Sequence, residues 1–330
     1  MRPAKANVMN QRYALKPVRM GTMLLGLLSA GLLSGIHCHA AGEFRLSAIT
    51  RSPGHFVAVG IHGAILRSEE GRVWSNQPAV TDAHLRGVTF GDGRFVAVGD
   101  QGTVVTGTGD GSRQRLEPLG SNTLRQVTFG RGQFIAVGDS GVIQSSMDGL
   151  HWRPLRSSTT ANLRCVAFGS GRFVAVGVGG VIVTSCGGYK SWRLVDSGTQ
   201  SCLRSVTYGN GIFLAVAPNR SVLTSWDGLS WSRHSAASDD YLYGVGFNGR
   251  EFVGVGCAGR VAVSSDGQIW RPLDIECRGD LFSIAGTPDR MVAVGATGAI
   301  LLPSAEPAVP VLSYKTPKSG VDGSGKLLDK

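Results

Sequence analysis

The stretch Leu124–Trp152, LRQVTFGRGQFIAVGDSGVIQSSMDGLHW, decides the fold. Its Phe134, ahead of the Ile-Ala-Val-Gly run, returns as Phe56, Phe95, Phe173, Phe213 and Phe252, with Met291 in the last copy. In chain order the intervals are 39, 39, 39, 40, 39 and 39 residues. Seven copies at so fixed a period predict a repeat architecture.

Within the copy lie four apolar runs between turns: Val127–Phe129, Phe134–Val137, Val142–Ser145 and the segment at Trp152. Each is short and rich in β-branched or aromatic residues, as strands are. Gly130-Arg131-Gly132 predicts a tight hairpin, because glycine adopts positive φ without a steric penalty. The same turn recurs at Gly91-Asp92-Gly93, Gly169-Ser170-Gly171 and Gly209-Asn210-Gly211, and Asp139-Ser140-Gly141 makes a second turn. Apolar residues show no sustained helical spacing. Four antiparallel strands per unit of this length form the blade of a β-propeller. The expected fold is all-β, a seven-bladed β-propeller of four-stranded antiparallel blades on a 39-residue repeat.

The third turn, Ser146-Met147-Asp148-Gly149-Leu150-His151-Trp152, recurs as Ser225–Trp231 and Ser264–Trp270. It resembles the Asp-box of sialidase-type repeats and the wider BNR-like and photosystem II assembly-factor-like seven-bladed propellers. The resemblance covers about residues 46–313. In the family pattern a residue separates the Asp from the Gly, whereas here they are adjacent, so the likeness is to the looser class. It implies a structural turn: the aspartate accepts backbone N–H bonds, the glycine takes the unusual φ and the tryptophan packs the blade. Trp152, Trp231 and Trp270 are therefore expected to be largely buried. The assembly-factor-like relatives further imply protein binding through a basic face.

Other copies are degenerate. The first has Glu69-Glu70-Gly71 and Trp74, the second lacks the tryptophan, and the fourth has Cys186-Gly187-Gly188 before Trp192 with no aspartate. The seventh requires its fourth strand from Ala308–Ser313, with Val309 in the tryptophan register.

Residues 1–41 read as a signal peptide. Arg2, Lys5, Arg12, Lys16 and Arg19 precede the apolar Thr22–Ile36, and no acid occurs before Glu43. The apolar core is shorter than the roughly 20 residues of a membrane span. Small residues favour cleavage after Ala40 or Ala41; an uncleaved anchor is the alternative. The expected location is periplasmic or secreted, with no stable membrane insertion after cleavage. Residues 42–313 form the propeller, and 314–330, rich in Lys, Gly, Ser and Asp, a disordered tail. The chain carries a net charge of +10, of which the five basic residues before position 41 account for half. The remainder is spread out, with no Lys/Arg block of the kind that marks nucleic-acid binding. A monomer is expected.

Five cysteines remain beyond the leader: Cys165, Cys186, Cys202, Cys257 and Cys277. In an oxidising compartment an odd count leaves one unpaired. Cys257 and Cys277 are expected to pair, Cys165 and Cys202 less strongly so, and Cys186 to stay free. No metal-ligand spacing appears, so neither metal nor cofactor is expected.

Pro154 and Pro272 follow the blade tryptophans by two residues. Proline belongs at sheet edges, so the Trp strand is outermost and the Leu-Arg strand lines the channel. Arg86, Arg125, Arg164 and Arg204 share one register, nine residues before the marker position; Ser47, Tyr243 and Phe282 hold it elsewhere, with Tyr241 nearby. The channel mouth is thus basic on one side and aromatic on the other. Arginine forks suit carboxylates and phosphates, and aromatics supply contact area. The plain alternative is that each guanidinium bonds carbonyls of the neighbouring blade. The expected function is a non-enzymatic scaffold binding a protein or anionic ligand at this face. A sialidase-like glycoside hydrolase is the alternative, with Tyr243 as nucleophile and Asp82, Asp239, Asp240 or Asp280 as acid/base.

Overall fold

The computed structural model describes residues 45–302 except 109–111, 189–190, 219–220, 236–240, 276 and 278. The expected signal peptide, the strand at 308–313 and the tail lie outside the described residues. Within them there is no helix long and apolar enough to cross a membrane.

The third repeat shows how the sequence builds its unit. Its strands are Leu124–Gly130, Gln133–Gly138, Ile143–Ser146 and Arg153–Leu155, paired antiparallel in sequence order. The first hairpin turns at Arg131 (φ 50°) and Gly132 (φ 73°). Positive φ at both central residues gives a turn whose twist matches that of the flanking strands. The second turn is a single 3₁₀ turn, Asp139–Gly141, with Ser140 left-handed at φ 56°. Gly141 is obligatory there, because a Cβ would lie 1.9 Å from the Thr159 carbonyl oxygen in the connection onward.

The third turn is held by its own polar side chains. Asp148 Oδ1 accepts the Leu150 and His151 amides at 2.8 and 2.9 Å, and Ser146 Oγ accepts the Gly149 amide at 2.8 Å. The same bonds recur around Asp227 and Asp266. Burial resists ionisation of Asp148, but the donors, His151 first, hold its carboxyl well below the ordinary range.

Among the described residues there are six four-stranded sheets and one of three strands, which ends at Leu302. The first strands of successive sheets stand side by side around a channel. Apolar clusters fill the wedges between neighbours: Val174 and Val176 of the fourth sheet, for example, pack with Phe213 and Ala215 of the fifth. The ring closes where Leu46, Ile49 and Phe56 meet Val292 and Val294 of the three-stranded sheet. There the Ile49 amide donates to Ser283 Oγ at 3.4 Å.

Two expectations need correction. Trp270 is buried, as is Trp192, but Trp152 and Trp231 are only half-buried. The five described cysteines are all free thiols. Cys277 is buried in an apolar cluster with Val253, Val255 and Val261, its Sγ turned to the Gly279 carbonyl at 3.8 Å. Cys257 instead sits beside Tyr243, so the two thiols serve different environments. Cys165 points its Sγ at the Val206 carbonyl (3.5 Å), not at Cys202.

Candidate functional site

The mouth of the channel is made by a defect repeated in the innermost strands. In the second sheet Leu85 pairs with Gly99 and Gly87 with Val98, leaving Arg86 as an extra residue between them. The same register shift isolates Ser47, Arg125, Arg164, Tyr243 and Phe282. In the fifth, the Arg204 backbone amide donates to the Val216 carbonyl at 2.9 Å while Ser205 pairs with Val216, again two residues against one. A bulge re-aims the side chain it isolates. All seven positions thereby escape the alternation of the strand. Arg86, Arg125, Arg164, Arg204, Tyr243, Phe282 and Ser47 line one cavity of about 440 Å³, joined by Arg45 and His84. Tyr241 does not line it: its side chain is exposed, and its carbonyl accepts the Cys257 amide at 3.0 Å.

The arginines fall into two classes. Arg86 forks onto Asp100, with Nη2 to Oδ2 at 3.1 Å and Nε on Oδ1. Arg125 does the same to Asp139, at 2.5 Å from Nε and 2.8 Å from Nη2. Both aspartates open the 3₁₀ turn of the same blade, fourteen residues after the arginine. Burial raises the Asp100 pKa, but the Arg86 hydrogen bonds outweigh it and hold the carboxyl below its ordinary value.

In the fourth and fifth blades the equivalent positions are Val178 and Pro218. Among the described residues no carboxylate forks onto Arg164 or Arg204. Arg164 Nε is shielded from solvent with no hydrogen-bond partner. Burial, then the nearby Arg125, lowers its pKa, with Asp139 offsetting part of the effect. Guanidinium remains protonated regardless, so the shift marks first of all a charge held partly out of water. Arg204 lies over the Tyr243 ring, 4.6 Å from its centroid, Tyr243 stacks on Phe282 at 6.3 Å, and Arg45 lies over Phe282 at 5.1 Å. An arginine–aromatic–aromatic–arginine wall therefore closes the other side of the mouth.

The arginines thus neither bond neighbouring carbonyls in common nor stand uniformly open. The aspartates, Arg45 and Cys257 are what sequence reasoning missed. The signal was present: an Asp fourteen residues after an Arg spans one hairpin, and both ends of that span face the mouth. Burial first, then the hydrogen bond with Cys257, raises the Tyr243 pKa, and Asp280 acts only through its charge. Asp280 Oδ1 instead accepts the Ala258 amide at 3.0 Å. Asp239 and Asp240 lie outside the described residues, and Asp82 lines a separate groove with His62 and Arg115. The described residues contain no cluster of three or more His, Cys, Asp or Glu able to hold a metal ion.

No protein-family model matches this sequence, and no curated protein matches it significantly. Solved structures do. Virginiamycin B lyase from Staphylococcus aureus is similar at 12% identity and a TM-score of 0.72, over 79% of this chain and 95% of that one. YCF48 bound to D1 peptide is similar at 19% identity and 0.63, over 78% and 93%. The WD40 propeller domain of Doa1 is similar at 12% identity and 0.65, over 83% and 96%. At such identities the likeness speaks for architecture alone, and with the sheets described above it makes this chain an all-β propeller of four-stranded antiparallel blades.

Proposed function

We propose that the protein is an exported, non-enzymatic propeller that holds a protein or an anionic ligand at the channel mouth. The observation that carries this reading is the pair of guanidinium groups at Arg164 and Arg204, which among the described residues have no carboxylate of their own, beside Arg86 and Arg125, which do. A desolvated, uncompensated cation favours an anion brought by a ligand, through charge-assisted bonds stronger than neutral ones. Tyr243 and Phe282 supply rigid contact area next to it. YCF48, similar in fold, has been solved with a bound peptide.

The basic start and short apolar core support export and signal cleavage after Ala40 or Ala41. The Ser-X-Asp-Gly turns support the looser Asp-box class, and the 39-residue phase supports residues 308–313 as the outer strand of a seventh blade.

The test is a pull-down from envelope extract, followed by calorimetry of the captured partner against wild type and the Arg164→Glu/Arg204→Glu double variant. Binding is expected to be lost in the variant while the thermal melt is preserved, and to weaken with salt, since screening acts over about 8 Å at physiological ionic strength. Unchanged affinity in the double variant overturns the basic-mouth reading. N-terminal sequencing that recovers Met1 from the exported protein overturns signal cleavage.

A further inference from the structure

We infer that the mouth is shaped for a tetrahedral dianion, a phosphoryl or sulfuryl group, rather than for a lone carboxylate. The inference rests on the mouth being the binding face and adds the chemistry of the group it takes.

The protein itself shows how it holds one carboxylate. In the second and third blades a single guanidinium takes a single carboxylate side-on, both Nε and Nη2 engaged. That arrangement is one-to-one and planar, and it completes the donors of one fork. The next two blades differ. Arg164 and Arg204 come from neighbouring blades and line the same cavity, and the charge of Arg204 acts on Arg164. An anion entering there meets two forks from adjacent blades at once. A carboxylate has one plane and one charge, so it completes one fork and leaves the second.

A tetrahedral dianion has oxygens in several directions and two charges, so it can accept from both. Arg164 lines the cavity with its fork unspent on any carboxylate of the described residues. Competing acceptors are few, because Asp100 and Asp139 are committed to Arg86 and Arg125. The cavity, at about 440 Å³, holds the group and leaves room for what carries it. The Tyr243–Phe282 stack, held between Arg45 and Arg204, adds aromatic contact area for that carrier.

The experiment is calorimetric titration of the exported protein with inorganic phosphate, sulfate and acetate at fixed ionic strength. Phosphate or sulfate is expected to bind at least about tenfold more tightly than acetate. Whichever of the two binds more tightly identifies the group as phosphoryl or sulfuryl. Arg164→Gln is expected to remove that preference and Arg164→Lys, which keeps the charge without the fork, to restore it only in part. Should Arg164→Gln fail to fold, Arg204→Gln at the exposed neighbour reads the same loss. Acetate binding as tightly as the dianions, or no binding of any of the three, overturns the inference. If an acidic protein segment still binds in that case, the mouth remains the binding face and only the dianion is wrong.

Discussion

Blades three and four are one unit built twice, and they diverge at both ends. At the mouth, blade three neutralises Arg125 with Asp139, whereas blade four has Val178 there and leaves Arg164 unpaired. At the opposite end, blade three ties its turn with Asp148, whereas blade four has no aspartate and two glycines, Gly187 and Gly188, at φ 82° and 78°. That turn is held from outside: Gln133 of blade three, fully buried, donates its Nε2 to the Gly187 carbonyl. Trp192 sinks into the wedge against Ile135 and Val137, while Trp152 stays half-buried and donates to the Gly149 carbonyl at 3.3 Å. A repeat therefore copies a scaffold, not a set of interactions. The arginine is inherited in both blades, and one residue fourteen positions on decides whether it is spent.

The largest expected effect separates the tryptophans. Trp192→Ala should cost about 3–5 kcal/mol, as deletions of buried aromatics do, and Trp152→Ala roughly half of that. Equal costs in chemical denaturation would remove the packing difference between the blades. Gln133→Ala comes next, at about 1–3 kcal/mol, because it strips a buried acceptor of its donor. A variant with an unchanged melt would mean that blade four holds its turn without help.

The mouth should respond in opposite senses. Asp139→Asn is expected to destabilise by about 1–2 kcal/mol while strengthening anion binding, since it releases Arg125. Val178→Asp rebuilds blade three's pair in blade four. It should stabilise by up to about 1 kcal/mol and weaken anion binding, read by the same melts and titrations. Movement of stability and binding in the same direction in either variant would break the comparison.

The smallest effect is on acid stability. The Asp148 carboxyl is depressed in the folded state, so its contribution is present above the unfolded value of about 3.9 and is lost as pH falls through the folded one. Asp148→Asn should flatten the pH dependence of stability below about pH 4. An unaltered acid slope would show that the turn does not carry it.

Much of this is legible in the sequence. Period, turn glycines and outer prolines are local signals, and they gave the blade, its strand order and the residues that converge on the mouth. The bulge was not legible, because a register shift is a relation between two strands and leaves no mark in either alone. The Arg–Asp forks were half legible: the spacing could be read, but nothing in it said that both side chains lean the same way. Cysteine pairing failed because sharing a face does not set the direction of a Cβ; Cys277 lies in an apolar wedge and Cys257 at the channel. The depth of each tryptophan depends on the neighbouring blade, which the copy itself does not encode.

The seam at Ile49 and Ser283 has a consequence for how such a chain can change over generations. Each of the six complete blades is one continuous stretch, running from the channel outward, and none borrows a strand from the far end of the chain. The ring is shut by an apolar cluster, one amide-to-hydroxyl bond and the contact of Arg45 with Phe282. A duplication or excision that starts at any inter-blade connection therefore moves a whole blade and leaves no strand without a partner. Because each blade lends its bulged side chain to the mouth, every such event also adds or removes one position of the cavity rim, so copy number and the make-up of the mouth are inherited together.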